Sequence, residues 1–562
     1  MTWDTFGYSA YLPLSFVHHS FILHDLTFFE KINEVYGNTP TMYQFITLEN
    51  GNVISKYTIG WSVVMSPFYF IADIWARNSE YRVDGFSLPY QYLVSFGSTF
   101  YSLLGIHFLR KILLHFFNDI IASISLILIT LGTNYLFIQM ASVGSVHSLE
   151  FTFLAILIWL TIRFHEKPSF KKSIYLGVCI GVIGLIRPPD LIFALIPVFW
   201  NCKNGKGFID KLKFYWKNNK KEVLGIGISC FLVLFIQSLF WKITSGHFLI
   251  DSYNNAGEGF DFFKPYTFEV LFSFRKGWFL YTPLIIFSII GLFYWKKKDT
   301  SHGNFMLIIL FLFVYVISSW TTWWYASSFS QRAAVDIYPL LAIGFGFFII
   351  ELKSRRNILI FSCIGVFLFS FNLFQTWQIS KGILHTSLMT KEYYFSTFGQ
   401  FSPPSKSQQK LLLIDKCLAY EVGFKNENEY KKCYTKRIKF PINYQLNDTV
   451  IYTPIVDIIP STISKKDHFW IRSTWNYEGN YEALAGKIFT SSALYKLQAY
   501  GWVGKNVTDS ILKVDTIHKT VTFNYLSPDI RTKKDPIRII VWKQSGLPII
   551  VKSVLIEGFE KK

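Results

Sequence analysis

The chain has only six cysteines in 562 residues, and none of their spacings suits a metal site. Cys179, Cys230 and Cys363 lie in apolar runs, where a small buried hydrophobe is the default, and Cys202 sits in a basic loop. Cys417 and Cys433 are near enough in sequence to close a short disulfide loop in an oxidising compartment, or to remain thiols. There is no P-loop, no dinucleotide-binding glycine pattern, no Gly-x-Ser-x-Gly elbow and no zinc-ligand helix, so the sequence offers no nucleotide site. Charged residues make up only 17% of the chain and are nearly absent from its long apolar runs. The net charge of +19 does not point to nucleic acid as a partner. Its basic residues border apolar runs, as the positive-inside rule predicts, and no soluble stretch interleaves them with aromatics.

What the chain has is apolar and aromatic side chains, at 51% and 19%. Up to Trp377, Leu, Ile, Phe and Trp dominate, in about ten segments: Tyr90–Phe108, Ile120–Phe137, Leu149–Ile162, Ile174–Ile186, Leu191–Trp200, Leu224–Trp241, Trp278–Trp295, Phe305–Trp320, Ile337–Ile350 and Ile358–Trp377. A helical span needs about 20 residues. Most of the ten qualify once flanking aromatics are added. The fourth and fifth are short and flank Arg187-Pro188-Pro189-Asp190, which reads as a broken helical hairpin because proline cannot continue a helix. Basic residues follow the odd-numbered segments: Arg110 and Lys111; Arg163, Lys167, Lys171 and Lys172; seven lysines between Lys203 and Lys221; Lys296 to Lys298; Arg355 and Arg356. These mark the cytoplasmic side. The other side receives residues 138–148, the Arg187–Asp190 turn, the loops 242–277 and 321–336, and the C-terminal tail.

The fold class expected is thus a multi-spanning α-helical membrane protein with an extracytoplasmic C-terminal domain. Three regions follow: 1–89, an extracytoplasmic first loop with interfacial helices; 90–377, the transmembrane part; and 378–562, mixed and then β-rich. Residues 1–89 have no apolar segment ahead of them to carry them across, so an upstream signal-anchor helix is expected to be missing from this chain. Ile59–Trp75 is apolar enough for an eleventh span, but Ser62, Ser66, Tyr69 and Asp73 form a polar stripe at helical spacing, which favours a helix lying in the interface. In the tail, β-branched and aromatic runs recur at Val450–Tyr452, Phe469–Trp475, Thr520–Phe523, Ile537–Trp542 and Ile549–Val551, as in an antiparallel β-sandwich of jelly-roll type. Trp475, Trp502 and Trp542 either fill its core or stack on a sugar.

Asp4 opens the external loop, and Lys56-Tyr57 leads its amphipathic stretch. Two further external loops carry basic residues on the face that the charge rule disfavours. One ends Arg275-Lys276-Gly277-Trp278, with Pro283 beyond. The other runs Trp323-Trp324-Tyr325-Ala326-Ser327-Ser328-Phe329-Ser330-Gln331-Arg332, with Pro339 beyond. This arrangement resembles the GT-C superfamily of polyprenyl-phosphate-sugar-dependent glycosyltransferases, in the style of bacterial protein O-mannosyltransferases and aminoarabinose transferases. The resemblance covers the membrane part, about two-thirds of the chain. It implies that Asp4 is the catalytic base or a metal-linked carboxylate. It also implies a second acid near Asp4 or in the next loop. Thr5 follows Asp4, and the next loop offers His147 and Glu150 instead. This departure leaves open whether a divalent metal, Mg or Mn, is required. Ala326 and Ser330 stand where the family more often has glycine, which stiffens the loop.

Guanidinium groups fork onto phosphate oxygens, so Arg187, Arg275 and Arg332 suit the headgroup of a lipid-phosphate donor. The alternative is snorkelling to anionic lipid or pairing with Asp190 and Asp336. Lys56, Lys276, Trp324, Tyr325 and Gln331 complete the candidate substrate contacts. The expected reaction is inverting displacement at the anomeric carbon, with Asp4 as base and an arginine on the leaving phosphate, in an inner-membrane protein acting on an extracytoplasmic protein, lipid or glycan. Two other readings are a lipid-linked-sugar flippase or transporter, and an O-antigen ligase or polymerase.

Overall fold

The structure is a computed structural model describing residues 3–37, 42–141, 144–253, 255, 257–415, 424, 427–442, 444–466, 468–495, 498–509, 512–532 and 534–562. It divides into two compact units. The first holds Met1–Asn254, Asp261–Ser387 and Thr397–Pro403. The second holds Asn255–Phe260, Leu388–Ser396 and Pro404–Lys562.

The first unit begins with three short helices, α1 (Trp3–Ser9), α2 (Tyr11–Phe16) and α3 (Thr27–Tyr36), then the hairpin β1 (Phe45–Thr47) and β2 (Val53–Ser55), then α4 (Gly60–Arg77). The hairpin is absent from the sequence expectation of helices alone. Its turn closes with Gly51 N donating to Leu48 O at 2.9 Å, and Gly51 takes φ +83°, a conformation that suits glycine. There follow α5 (Leu88–Phe116), α6 (Asp119–Leu131), α7 (Tyr135–Ala141), α8 (Val146–Glu166), α9 (Phe170–Ile186), a 3-10 turn at Pro188–Ala194, α10 (Leu195–Phe199), α11 (Gly205–Asn218) and α12 (Lys220–Ser245). Next come α13 (Thr267–Phe272), α14 (Trp278–Tyr281), α15 (Ile285–Lys298), α16 (Thr300–Ser318), a 3-10 turn at Arg332–Ile337, α17 (Tyr338–Glu351) and α18 (Arg355–Ser380).

Among the described residues, six helices are long and apolar enough to cross a membrane. The number becomes seven if α6 and α7, bent by 53°, form one span. The remaining apolar segments are shorter helices: α9 has 17 residues, α15 has 14, and α10 follows the Pro188–Pro189 break. Proline lacks the donor that would extend α9, so the chain turns there. Of the six, Arg332–Glu351 is the most enclosed, while α12 and α18 bury few residues and expose Phe231, Leu232, Val366 and Phe367. Apolar faces of this extent are at home in lipid and costly in water. The first unit is that of a multi-pass membrane protein. Its helices approach closely at small residues. A Cβ on Gly177 would overlap Ser229 Oγ and the Ile226 carbonyl of α12, and one on Gly291 would overlap the Gly344 carbonyl of α17.

Contacts distinguish two ends of this unit. At the basic end, Arg110 meets Asp119 at 2.6 Å, Phe116 packs on Trp295, and His302 packs on both Trp200 and Trp295. The opposite end, the mouth of the unit, gathers α1, β2, the start of α8, the end of α9 and the loop before α17. There Trp61 Nε1 donates to Gly144 O (2.7 Å), Thr58 Oγ1 to Ile186 O (2.9 Å) and Ser55 Oγ to Gly7 O (2.8 Å).

The second unit contains two antiparallel sheets. One runs β3–β12–β6–β10–β9 with β4 also on β12; the other runs β5–β11–β7–β8. The strands are β3 (Tyr430–Lys439), β4 (Gln445–Leu446), β5 (Val456–Ile458), β6 (Trp470–Glu478), β7 (Lys487–Tyr495), β8 (Gln498–Lys505), β9 (Lys513–Asp515), β10 (Thr520–Leu526), β11 (Ile537–Lys543) and β12 (Ile549–Lys561). Trp475, Tyr477, Val521 and Phe523 from the first sheet share one core with Phe489, Ile537, Ile539 and Val541 from the second. Trp475 is a core residue, Trp542 stacks on Tyr452 at 6.0 Å, and Trp502 is exposed. Cys417 lies outside the described residues.

Candidate active site

The loop before α17 is held in one shape by buried groups. Lys276 Nζ donates to Ser328 O (2.7 Å), to Ser328 Oγ (3.0 Å) and to Thr386 O. Asn134 Nδ2 donates to Phe329 O (3.1 Å) and Gln331 O (3.2 Å), and Tyr338 Oη donates to Asn134 Oδ1. Within the loop, Tyr325, Ala326 and Ser330 have φ of +47°, +54° and +56°. The two positions where the sequence departs from the usual glycine are thus left-handed, at a cost of about 1–2 kcal/mol each for a residue with a Cβ. The loop carries this strain just ahead of Arg332, which opens the 3-10 turn.

Arg332 Nη2 meets Asp4 Oδ2 at 2.5 Å. Asp4, in the first turn of α1, also accepts from Tyr57 Oη (2.9 Å) and Gln44 Nε2 (3.4 Å). Burial pushes the Asp4 carboxyl up, but the Arg332 charge and hydrogen bond, the Tyr57 hydroxyl and the Lys56 charge outweigh it and hold the group below its ordinary value. The pair lies in a recess and is not sealed: 28% of the Asp4 side chain and 22% of Arg332 remain accessible. Gln44 Oε1 and Arg332 Nε, on side chains that touch Asp4, and Ser330 Oγ and Gln331 Oε1, on the two residues before Arg332, are buried with no protein partner. Buried polar atoms of this kind are normally satisfied, so a ligand or water belongs here.

One 3-10 turn away lies a second, more deeply buried set. Asp336 accepts from Arg187 Nη1, which also meets Asp190 Oδ2 at 3.0 Å, and Asp336 Oδ1 is 2.8 Å from His147 Nδ1. Glu150, one turn beyond His147 on α8, is fully buried, and neither carboxyl oxygen has a hydrogen-bond partner. His147 and Glu150 are therefore enclosed, because the start of α8 is covered by the loop before α17 and by the end of α9. Between the two roles the sequence allowed Arg187, the geometry gives it the acid-paired one.

The other candidates divide. Gln331 is buried and donates to Trp323 O at 2.9 Å. Tyr325 Oη donates to Ile317 O at 2.9 Å. Arg275 lies over the Trp324 ring at 4.3 Å, and its Nε donates to Ser387 O at 3.1 Å. Lys276 spends its donors on the loop itself and has none for a ligand. Lys56 is buried among Tyr43, Tyr57 and Tyr253, 4.8–5.4 Å from their ring centres, in the turn ahead of α4. Gln44 and Asn134 carry no mark in the sequence analysis, whereas Asp336 enters there as a partner for the arginines and Tyr57 as the neighbour of Lys56. Thr133-Asn134 inside an apolar run was the one visible signal.

Among the described residues, no group of three or more His, Cys, Asp or Glu side chains is placed to hold a metal ion. The arrangement offers a carboxylate that accepts a proton, a guanidinium that can turn to an anion, and unpaired polar atoms for hydroxyl groups. No model of a known protein family matches the chain, and no curated protein matches it.

Proposed function

We propose that the chain is an integral-membrane glycosyltransferase of GT-C type. In this reading it moves a sugar from a polyprenyl-phosphate donor to an extracytoplasmic protein, lipid or glycan. The observation that carries the reading is the partly open Asp4–Arg332 pair, with unpaired polar atoms on Gln44 and on the loop that carries Arg332. A salt bridge alone leaves these atoms unsatisfied, whereas a phosphosugar offers phosphate oxygens to Arg332 and hydroxyls to Gln44, Ser330 and Gln331.

The pairing also supplies a sequence of events. A donor phosphate competes for the Arg332 guanidinium. As Arg332 turns to it, Asp4 loses the partner that holds it low, and burial, which acts the other way, makes it a stronger base. Asp4 then takes the proton of an acceptor hydroxyl while that oxygen bonds to the anomeric carbon. The bond from that carbon to the phosphate oxygen breaks, its electron pair leaves with the phosphate, and configuration inverts. Arg332 stabilises the charge gained by the leaving group. Base assistance of this kind is worth about 10²–10⁴-fold.

The reading places the protein in the plasma membrane with the mouth and the β unit outside the cytoplasm. In the β unit, β3–β12–β6–β10 opposed to β5–β11–β7–β8 is the interleaved order of a jelly roll, a fold common among sugar-binding modules. The test is to reconstitute the protein with a radiolabelled polyprenyl-phosphate sugar and envelope acceptors. Label passing to an acceptor, with inverted configuration, is expected. Label crossing the vesicle wall unreacted, without acceptor, would replace this reading with a flippase.

A further inference from the structure

The basic end carries a helix that the packing of the bundle does not explain. None of the 14 residues of α11 is buried. At 100° per residue, Ile209, Leu212 and Trp216 fall within about 60° of one another on its surface. They are 52%, 50% and 57% exposed. On one flank of this stripe the helix is tied to the bundle. Phe208 packs on Phe199 at 4.9 Å, Tyr215 stacks on Phe164 at 6.0 Å, and Lys211 Nζ donates to the carbonyls of Pro197, Val198 and Trp200. On the other flank stand Lys206, Lys213 and Lys217, all exposed.

This geometry fixes the environment that suits the stripe. A 14-residue helix is about 21 Å long and too short to span a bilayer. With its packed flank against the bundle, the apolar stripe faces sideways and the three lysines lie beside it, as in a helix sunk to the depth of lipid headgroups. The helix is also continuous with lipid-facing structure, because α12 begins two residues after α11 ends and exposes an apolar surface. Between residues 201 and 222 there are seven lysines against Asp210 and Glu222. An apolar stripe edged with that charge complements an anionic leaflet.

We infer that α11 is an interfacial helix that anchors the basic end of the protein to anionic phospholipid through Ile209, Leu212 and Trp216 in the acyl boundary and Lys206, Lys213 and Lys217 at the headgroups. This stands apart from the glycosyltransferase reading and holds whatever the mouth does. The test is hydrogen exchange of the full-length chain in nanodiscs of phosphatidylcholine alone and of phosphatidylcholine with phosphatidylglycerol. The amides of α11 are expected to exchange at least about tenfold more slowly in the anionic bilayer. That difference should disappear in K206Q/K213Q/K217Q while α12 keeps its protection. In the unaltered protein it should also shrink at 1 M salt, where charges are screened beyond about 3 Å. Equal exchange in the two bilayers overturns the inference. So does a slowing that survives the triple substitution or high salt, which would point to an apolar contact or a protein partner instead.

Discussion

Arg187 and Arg110 each meet an aspartate, at 3.0 and 2.6 Å, at opposite ends of the helical unit. The distances barely differ and the physics differs greatly. Arg110 and Asp119 are 50% and 67% exposed; Arg187 is 13% exposed, with Asp190 at 3% and Asp336 at 0%. Water screens the first pair, which contributes about 0–1 kcal/mol. At the mouth, one guanidinium bonds two buried carboxyls, beside a buried Glu150 whose oxygens have no hydrogen-bond partner. Charge at the basic end is there to meet the surroundings. Charge at the mouth is held against the preference of the surroundings.

The largest effect expected is on stability. Arg187→Met leaves Asp190 and Asp336 buried without their cation and should cost about 3–5 kcal/mol, whereas Arg110→Met should cost less than about 1 kcal/mol. Thermal unfolding of the two variants in nanodiscs checks the contrast, and equal losses would erase the distinction between the ends. Next is Arg332→Gln, which should lower donor turnover about 10²–10³-fold, as removal of a group that stabilises a leaving anion does. A much smaller loss on substituting Arg275, which stacks on Trp324, would sharpen the assignment.

Strain comes next. Ala326→Gly relieves a left-handed alanine and should stabilise the protein by about 0.5–1 kcal/mol after the added chain entropy of glycine. The smallest effect concerns pH. The Asp4 carboxyl lies below its ordinary value of 3.8, so its pairing contributes stability that is fully present above that value and is lost as pH falls through the folded value. The unfolding temperatures of the unaltered protein and of Asp4→Asn should differ by a constant amount from pH 7 to pH 5 and converge below about pH 4.

The two ends were also unequally legible in the sequence. Lysines and arginines announce the basic end because exposed charge follows a simple rule about sides. The mouth was legible only in part. Asp4 and Arg332 are 328 positions apart and were brought together by counting sides, since both fall outside the basic loops. Ala326 and Ser330 stood out as departures from glycine, and both prove left-handed. But no sequence pattern tells whether a basic residue will bind a ligand or cap its own backbone. Lys276 does the latter, and Arg187 turns to its neighbouring acids. Asn50-Gly51 is a hairpin signal within a stretch expected to be a loop with interfacial helices. In the tail, β6, β10 and β11 are visible from their β-branched and aromatic residues, whereas β3, with six of its ten residues exposed, reads as an ordinary polar stretch.

The account rests on Asp4 acting as the base of sugar transfer at the mouth. The direct measurement is single-turnover transfer from a radiolabelled polyprenyl-phosphate sugar by the unaltered protein and by Asp4→Asn, with donor binding measured in parallel. The account predicts that transfer falls at least about 100-fold while the donor remains bound. Transfer at the original rate by Asp4→Asn would contradict it.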